Sequence, residues 1–239
     1  MKTHATESPP QTTTRLAGIL YLVVVPLGIF SLSISGRVIV PGDAAATASN
    51  ILASEGLFRF GIVSDLLATL IMMAVALTLY NLLKPVNENM AALMVIFVLI
   101  GVSISVFDKL NVLAVLQTLS VPDYLSAFTI EQVQALAYHH LRLSDIGSTI
   151  AFIFWGLWLF PLGYLVFKSG FLPKILGILL MISCMGYVVN SLAYFLGYST
   201  NFGMVSVLGE VLFILWLLIK GVDVEGWKTT HLNQPHSIE

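Results

Sequence analysis

Glu210 is the residue whose type and position most favour chemistry, because it is an acid inside a long apolar run. It lies ten residues before Lys220, which ends that run, and a helix rise of 1.5 Å per residue places its carboxyl group roughly 15 Å deep in a membrane. A charge at that depth costs about 2.5 to 3.5 kcal/mol on insertion scales. We therefore expect proton exchange at Glu210 or, as a structural alternative, a protonated carboxyl group that hydrogen-bonds Ser206 or a neighbouring helix.

A second set of polar residues lies near the opposite ends of the apolar runs. Asp65 is 19 residues from Lys84, and Asp145 is 23 residues from Lys168, so both acids are expected at the outer surface. Acids and bases nearly balance in this set, which is typical of a structural ion-pair network, and Arg142 has helical pairing distance to Asp145. The alternative is an outward-facing polar pocket with Glu210 as its floor. The candidate residues are Glu210, Asp65, Asp108, Lys109, Asp145, Arg142, Arg59, Glu55, Asn190, His139 and His140.

Metal and nucleophile chemistry are less favoured by the same residues. His139 and His140 are adjacent, so on a helix they point about 100° apart and do not easily face one ion. A zinc site with one of them, Asp65 and Asp145 stays open as an alternative, because three protein ligands suffice for a catalytic zinc. The serines near the acids lack a nucleophile elbow. We predict no metal and no cofactor.

The composition requires a membrane around these residues. Of the 239 residues, 57% are hydrophobic and only 10% are charged, whereas soluble domains have roughly 25% charged residues. The net charge of -2 provides no basic patch for phosphates and excludes nucleic acid as a partner. The single cysteine, Cys184, lies in an apolar run, so we expect no disulfide within the chain and no reactive thiolate.

Six apolar runs are long enough to be membrane spans, since about 20 helical residues cross roughly 30 Å of hydrocarbon. They predict an all-α polytopic membrane protein, a six-transmembrane-helix bundle in a single domain at 15–221 between tails at 1–14 and 222–239. The first run is longer than the apolar region of a signal peptide, and we expect it to be retained. The predicted spans are 16–35, 61–83, 90–110, 147–167, 172–192 and 204–219, and the end of the third is left open because apolar residues continue from Val112 to Leu119.

Positive charges are concentrated at one end of these spans. With six spans both termini share a side; that side carries seven lysines and arginines, whereas the other has Arg37, Arg59 and Arg142, with Lys109 at a helix end. By the positive-inside rule both termini are expected in the cytoplasm. The predicted location is the inner membrane of a bacterial cell.

The outer loops are longer than the inner ones and predict two helices lying on the outer interface. Asp43 is a suitable N-cap for a helix at 44–54, with Gly56 as its stop. Thr129 and Gln132 have the spacing of a capping box, and apolar residues from Ile130 to Leu141 follow on one face. Both helices are expected either to cover the bundle or to gate a substrate. Within the spans, prolines at 26 and 161 are expected to kink the first and fourth helices.

The stretch FWGLWLFPLGYLVFKSGFLPKILG at 154–177 resembles a bacterial six-helix integral membrane family known only as a domain of unknown function. The motifs EGLFR at 55–59 and LGE at 208–210 are similar to that family as well. The resemblance covers most of the chain and implies the same six-span topology. It implies no activity.

Three functional hypotheses remain open. The first is binding or conduction of a small polar solute, an ion or a lipid headgroup through the polar pocket. The second is an intramembrane enzyme at the outer leaflet, with Asp65, Asp108 or Asp145 in acid-base roles and His139 or His140 assisting. The third is a structural or regulatory membrane subunit without a ligand. The lipid bilayer is a partner in all three, and the oligomeric state is left undetermined.

Overall fold

The computed structural model describes residues 10–120, 123–200 and 203–232, and the regular elements in these ranges are all helices. A short 3-10 helix, Asp123–Leu125, lies between the fourth and fifth of them. The α-helices are α1 (Pro10–Val38), α2 (Ala44–Ala53), α3 (Glu55–Leu83), α4 (Glu88–Leu119), α5 (Ile130–Leu157), α6 (Leu159–Lys168), α7 (Lys174–Phe195), α8 (Gly203–Ile219) and α9 (Val224–Leu232).

Five segments are long and apolar enough to cross a membrane: α1, α3, α4, the joined α5 and α6, and α7. Many large apolar side chains on them face outward, among them Leu32 and Phe107, each 71% exposed. Such a surface is unusual in a soluble monomer but suits a lipid environment. The fold is therefore that of an all-helical membrane protein. The sixth predicted span corresponds to α8, which is apolar but has only 17 residues.

Three helices end where the sequence predicted the end of a span. Helix α3 ends at Leu83, α6 ends at Lys168 and α8 ends at Ile219, each at or beside the lysine that marked the boundary in the sequence. Ammonium groups placed there reach the polar interface while the apolar stem stays in lipid.

The sequence left open whether the third helix ends at Leu110 or continues through the apolar residues that follow, and the longer helix is observed. Helix α4 continues to Leu119, because the apolar residues beyond the charged pair Asp108 and Lys109 are needed in a core. Val115 is fully buried there, and Leu116 and Leu119 are 7% exposed. The burial of these side chains stabilises nine further residues of helix.

The second predicted interfacial helix is not separate. Its capping box is confirmed, since the Thr129 N–H donates to Gln132 Oε1 at 2.9 Å and the Gln132 N–H donates to Thr129 Oγ1 at 3.4 Å. The helix that starts there continues without interruption into the fourth span, as α5. Neither proline nor glycine stands between Ile130 and Ile146 to stop it.

Helix α5 ends at Leu157, four residues before Pro161, and α6 begins at Leu159. Proline has no N–H to donate to the carbonyl group of Leu157, and its ring collides with that carbonyl. The interruption is limited to Trp158, which keeps helical backbone angles (φ −63°, ψ −24°) and whose N–H donates to the Phe154 carbonyl oxygen at 3.1 Å. The kink at Pro161 stays a prediction. Pro26 lies inside α1, which continues through it.

The first interfacial helix, α2, is present and packed against its neighbours. Asp43 caps it as predicted, accepting a hydrogen bond from the Ala46 N–H at 2.8 Å. Gly56 is not its stop: α2 ends at Ala53 with Ser54 as its C-cap, and Gly56 lies inside α3. Ile51 of α2 is fully buried, and the crevice among α2, α4 and α5 leaves no room for a water molecule.

The described helices divide into two compact units. The first unit comprises 10–22, 71–101 and 152–232 apart from 201 and 202, and the second comprises 23–70 and 102–151 without 121 and 122. The core of the second unit is a cluster of buried apolar side chains around Ile34, Ile51 and Val115. In the first unit Gly163 of α6 and Gly177 of α7 meet backbone to backbone, since a methyl group added at Gly163 would lie 2.6 Å from the Gly177 carbonyl oxygen.

The predicted C-terminal tail contains a helix that belongs to the first unit. The indole N–H of Trp227 on α9 donates to the Leu82 carbonyl oxygen at 3.2 Å. The Thr230 hydroxyl donates to the Ser169 carbonyl oxygen at 3.3 Å. Both acceptors lie at helix ends, where carbonyl groups have no partner within the helix.

Candidate functional site

Glu210 of α8 is partly buried in the first unit and is hydrogen-bonded to a residue from the start of the chain. The hydroxyl group of Tyr21 on α1 donates to Glu210 Oε2. Tyr21 is itself only 4% exposed. A phenol in that position satisfies the carboxyl group without a charge.

Tyr187 of α7 is the second hydrogen-bond partner of the Glu210 carboxyl group. Together these three residues form what we call the Glu210 site. Within residues 10–120, 123–200 and 203–232, Glu210 has no lysine, arginine or histidine at ion-pair distance. The predicted alternative partner Ser206 has a side chain outside the described part of the chain.

Both tyrosines are held by their neighbours. The ring of Tyr21 lies 5.9 Å from the ring of Trp158, and the ring of Tyr187 stacks on Phe152 at 6.3 Å with an interplanar angle of 18°. Gly156 makes room for α7, because a methyl group there would lie 2.6 Å from Tyr187 Cβ. Aromatic contacts of this kind fix the direction in which each hydroxyl group points.

Helix α8 is brought to these tyrosines by the glycine that precedes the acid. A methyl group at Gly209 would lie 2.5 Å from Ser183 Oγ and 2.7 Å from the Leu179 carbonyl oxygen, both on α7. Only glycine permits this approach of α8 to α7. The LGE motif therefore has a packing role at Gly209 and a polar role at Glu210.

The second unit contains the acids and bases that the sequence placed at the outer ends of the spans. Three ion pairs form among them. Lys109 Nζ lies 2.5 Å from Asp65 Oδ2, between partly buried side chains. Arg142 pairs with Asp145 at 2.7 Å, as its spacing predicted, and Arg59 pairs with Glu55 at 2.7 Å, both on exposed helix faces.

Asp108 differs from these acids because it is 2% exposed and its described partners are neutral. The Ser144 hydroxyl donates to Asp108 Oδ2 at 2.7 Å, and the Ser148 hydroxyl donates to the same oxygen at 3.4 Å. The Asn111 amide donates to Oδ1 at 3.3 Å. We call Asp108, Asn111, Ser144 and Ser148 the Asp108 site.

The remaining candidates are His139, His140 and Asn190. In the described residues no hydrogen bond or ion pair joins them to the Glu210 site or to the Asp108 site. His139 is exposed, while His140 is partly buried, with its ring 6.5 Å from that of His139. Asn190, in the first unit, accepts a hydrogen bond from the Thr200 hydroxyl at 2.6 Å.

The enzymatic alternatives gain no support from this arrangement. Across the described ranges, histidine, cysteine, aspartate and glutamate side chains form no group of three that could hold a metal ion, and Asp65 and Asp145 are engaged by bases instead. Ser144 bonds directly to an acid, whereas a catalytic serine bonds a histidine that the acid orients.

Sequence reasoning found Glu210 but not its tyrosines. Tyr21 is separated from Glu210 by 189 residues, and an isolated tyrosine in an apolar run has no periodic signal. One signal could have located the helix contacts. A glycine near polar residues often marks a close approach of two helices, and this pattern occurs in LGE at 208–210 and in Ser144, Gly147 and Ser148.

The comparisons with known proteins identify a family. The sequence model of the family called Domain of unknown function (DUF4386) matches residues 16–221. The chain belongs to this family. A relative from Archaeoglobus fulgidus, described only as an uncharacterized protein, is 35% identical over 162 residues, which cover 68% of this chain and 84% of the relative. No solved structure matches.

Membership in DUF4386 confirms the resemblance seen at 154–177, and both sites lie inside the matched range. The predicted restriction to bacteria is too narrow, because the chain has an archaeal relative. The family description assigns no activity, so function rests on the two sites.

Proposed function

We propose that this protein is a proton-coupled carrier for a small polar solute, with six membrane spans, both termini in the cytoplasm, and Glu210 as the residue that takes up and releases the proton. The observation that carries the proposal is the hydrogen bonding of the Glu210 carboxyl group to Tyr21 and Tyr187 without a described cation nearby. The proposed location is the cytoplasmic membrane.

The choice of an acid at this position supports the proposal. A glutamine side chain has an oxygen and an amide group that would also hydrogen-bond two phenols. A carboxyl group, unlike an amide, can gain or lose a proton and so change its charge. A charge at the predicted depth of Glu210 is energetically unfavourable. Interhelical hydrogen bonds in membranes stabilise by only about 0.6 kcal/mol on average. This is too small to explain the choice of an acid by a structural role alone.

The arrangement of the partners suits proton exchange. A tyrosine hydroxyl donates to a carboxylate and accepts from a protonated carboxyl group, so each phenol bonds Glu210 in both charge states. Glu210 is partly buried, so proton exchange with solvent or solute would require a movement of the helices around its carboxyl group.

The test is proton movement driven by defined solutes. Full-length protein is reconstituted into liposomes that contain a pH-sensitive dye, and single amino acids, sugars, nucleosides and quaternary amines are added in turn. We expect at least one solute to change the internal pH with wild-type protein and to fail with Glu210→Gln. Glu225→Gln, which removes an acid from the exposed face of α9, is the matched control and should behave as wild type. An undiminished response with Glu210→Gln, or no response to any solute, would overturn the proposal.

A further inference from the structure

We infer that the Asp108 site binds a sodium ion. It is built from one carboxylate, two hydroxyl groups and one amide group, contributed by α4 and α5 within the second unit. The inference does not depend on the proposed function, which rests on Glu210 in the other unit.

The burial of Asp108 is the first observation. An aspartate that is 2% exposed must be neutralised, because an unpaired buried charge is costly. Its described hydrogen-bond partners are neutral and supply no compensating charge. A bound cation would supply the positive charge that these partners lack.

The bases closest to Asp108 along the chain are engaged elsewhere. Lys109, the next residue, pairs with Asp65 at 2.5 Å. Arg142, on the helix that carries Ser144 and Ser148, pairs with Asp145 at 2.7 Å. Asp145 lies near enough to Asp108 to interact with it electrostatically, and this adds negative potential to the site.

Residues of α5 allow the Asp108 carboxylate to pack closely against this helix. Ser144 and Ser148 are four residues apart and so share a face of α5, and Gly147 lies on the same part of the helix. A methyl group at Gly147 would lie 2.5 Å from Asp108 Oδ1. Glycine thus allows the acid to approach the α5 backbone, between two hydroxyl groups that can rotate to turn lone pairs toward an ion.

The ligand atoms select the kind of ion. Carboxylate, hydroxyl and amide oxygens are the donors of hard cations, and softer transition metals prefer imidazole and thiolate. One carboxylate balances one positive charge. Magnesium keeps several waters and demands octahedral geometry, which a closely packed pair of helices does not offer. Potassium is typically held by rings of carbonyl oxygens. A small monovalent cation, sodium, fits both the charge and the donors.

The test compares thermal unfolding of the full-length purified protein in sodium, potassium and choline chloride at equal ionic strength and pH. Ligands that bind only the folded state raise its midpoint in a saturable way. We expect a sodium-specific rise with wild type, and binding of radioactive sodium at one ion per chain. Ser148→Ala should shift the saturation to higher sodium, and Asp108→Asn should abolish it.

Two control variants separate this site from other sources of the effect. Glu131→Gln removes an exposed acid from the first turn of the same helix and should keep the sodium response, as should Glu210→Gln. A rise that persists in Asp108→Asn would place the ion elsewhere and overturn the inference. Equal midpoints for wild type in sodium and choline would overturn it too.

Discussion

The hydroxyl group of Tyr21 near the start of the chain donates a hydrogen bond to the carboxyl group of Glu210 near its end. This bond joins α1 to α8 inside the first unit, and α7 joins them through Tyr187. A single acid on α8 therefore links this helix to α1 and to α7.

Tyr21→Phe is predicted to weaken the connection without removing the ring that packs on Trp158. The loss of one hydrogen bond should lower the free energy of unfolding by about 1 kcal/mol. In a double-mutant cycle with Glu210→Ala, which removes the acceptor, the two changes should be non-additive, because each abolishes the same interaction. Thermal unfolding in detergent measures each term.

The control for that cycle is Tyr198→Phe, which alters a tyrosine that is 70% exposed. It should leave the midpoint unchanged and add independently to Glu210→Ala. Additivity of Tyr21→Phe with Glu210→Ala would show that the bond contributes nothing to stability.

Gly163→Ala is predicted to destabilise the first unit. The new methyl group would lie 2.6 Å from the Gly177 carbonyl oxygen, and a backbone atom in a packed helix cannot move aside. Overpacking of this kind typically costs 1–3 kcal/mol, so a loss of about 2 kcal/mol is expected. Chemical unfolding of the purified protein provides the measurement.

Gly28→Ala is the matched control, because it lies in α1 with no atom within 4 Å of the added methyl group. Alanine has the better helix propensity by about 1 kcal/mol, so this variant should be neutral or slightly more stable. If both variants unfold alike, the close packing of α6 on α7 does not limit stability.

Asp43→Ala is predicted to loosen α2. The carboxylate of Asp43 accepts from the Ala46 N–H, and loss of such a cap typically costs about 1 kcal/mol. Asparagine caps helices as well as aspartate does, so Asp43→Asn should keep the wild-type behaviour. Hydrogen exchange of the α2 amides reports the difference, and equal protection in both variants would contradict a capping role.

The six-span topology predicts which positions a membrane-impermeant maleimide can reach on intact cells. In a Cys184→Ala background, Ser126→Cys should be labelled from outside. Ser8→Cys and Ser237→Cys should be labelled only after the membrane is permeabilised. Labelling of either terminus on intact cells would exclude a six-span protein with cytoplasmic termini.

These helix ends were predictable because a lysine in a membrane protein is most stable at the interface, where its ammonium group reaches water. Lys84 and Lys168 therefore located the ends of α3 and α6. The same reasoning failed at Lys109, because an ion pair with Asp65 allows a lysine to remain inside a helix that continues. Pairing between distant residues decides such cases, and it is not readable from one sequence.

The candidate site was predictable in part for a related reason. Glu210 is visible from its depth alone, and Arg142 with Asp145 from helical spacing. The neutral partners of Asp108 were not predictable, because nothing in the sequence distinguishes Ser144 and Ser148 from other serines. Their role follows from the packing of α4 on α5, which places the Asp108 carboxylate against Gly147. The register of one helix on another has no local signal.

The glycine contacts among α6, α7 and α8 also determine which parts of the first unit are free to move. Gly163 against Gly177, and Gly209 against Leu179, leave no space for sliding. These three helices are therefore expected to act as one stiff block during any working cycle. The segment of α1 that carries Tyr21 is joined to Glu210 by a hydrogen bond that is easily broken and remade. Exposure of Glu210 is accordingly expected to begin with a displacement of α1 that breaks the hydrogen bond from Tyr21.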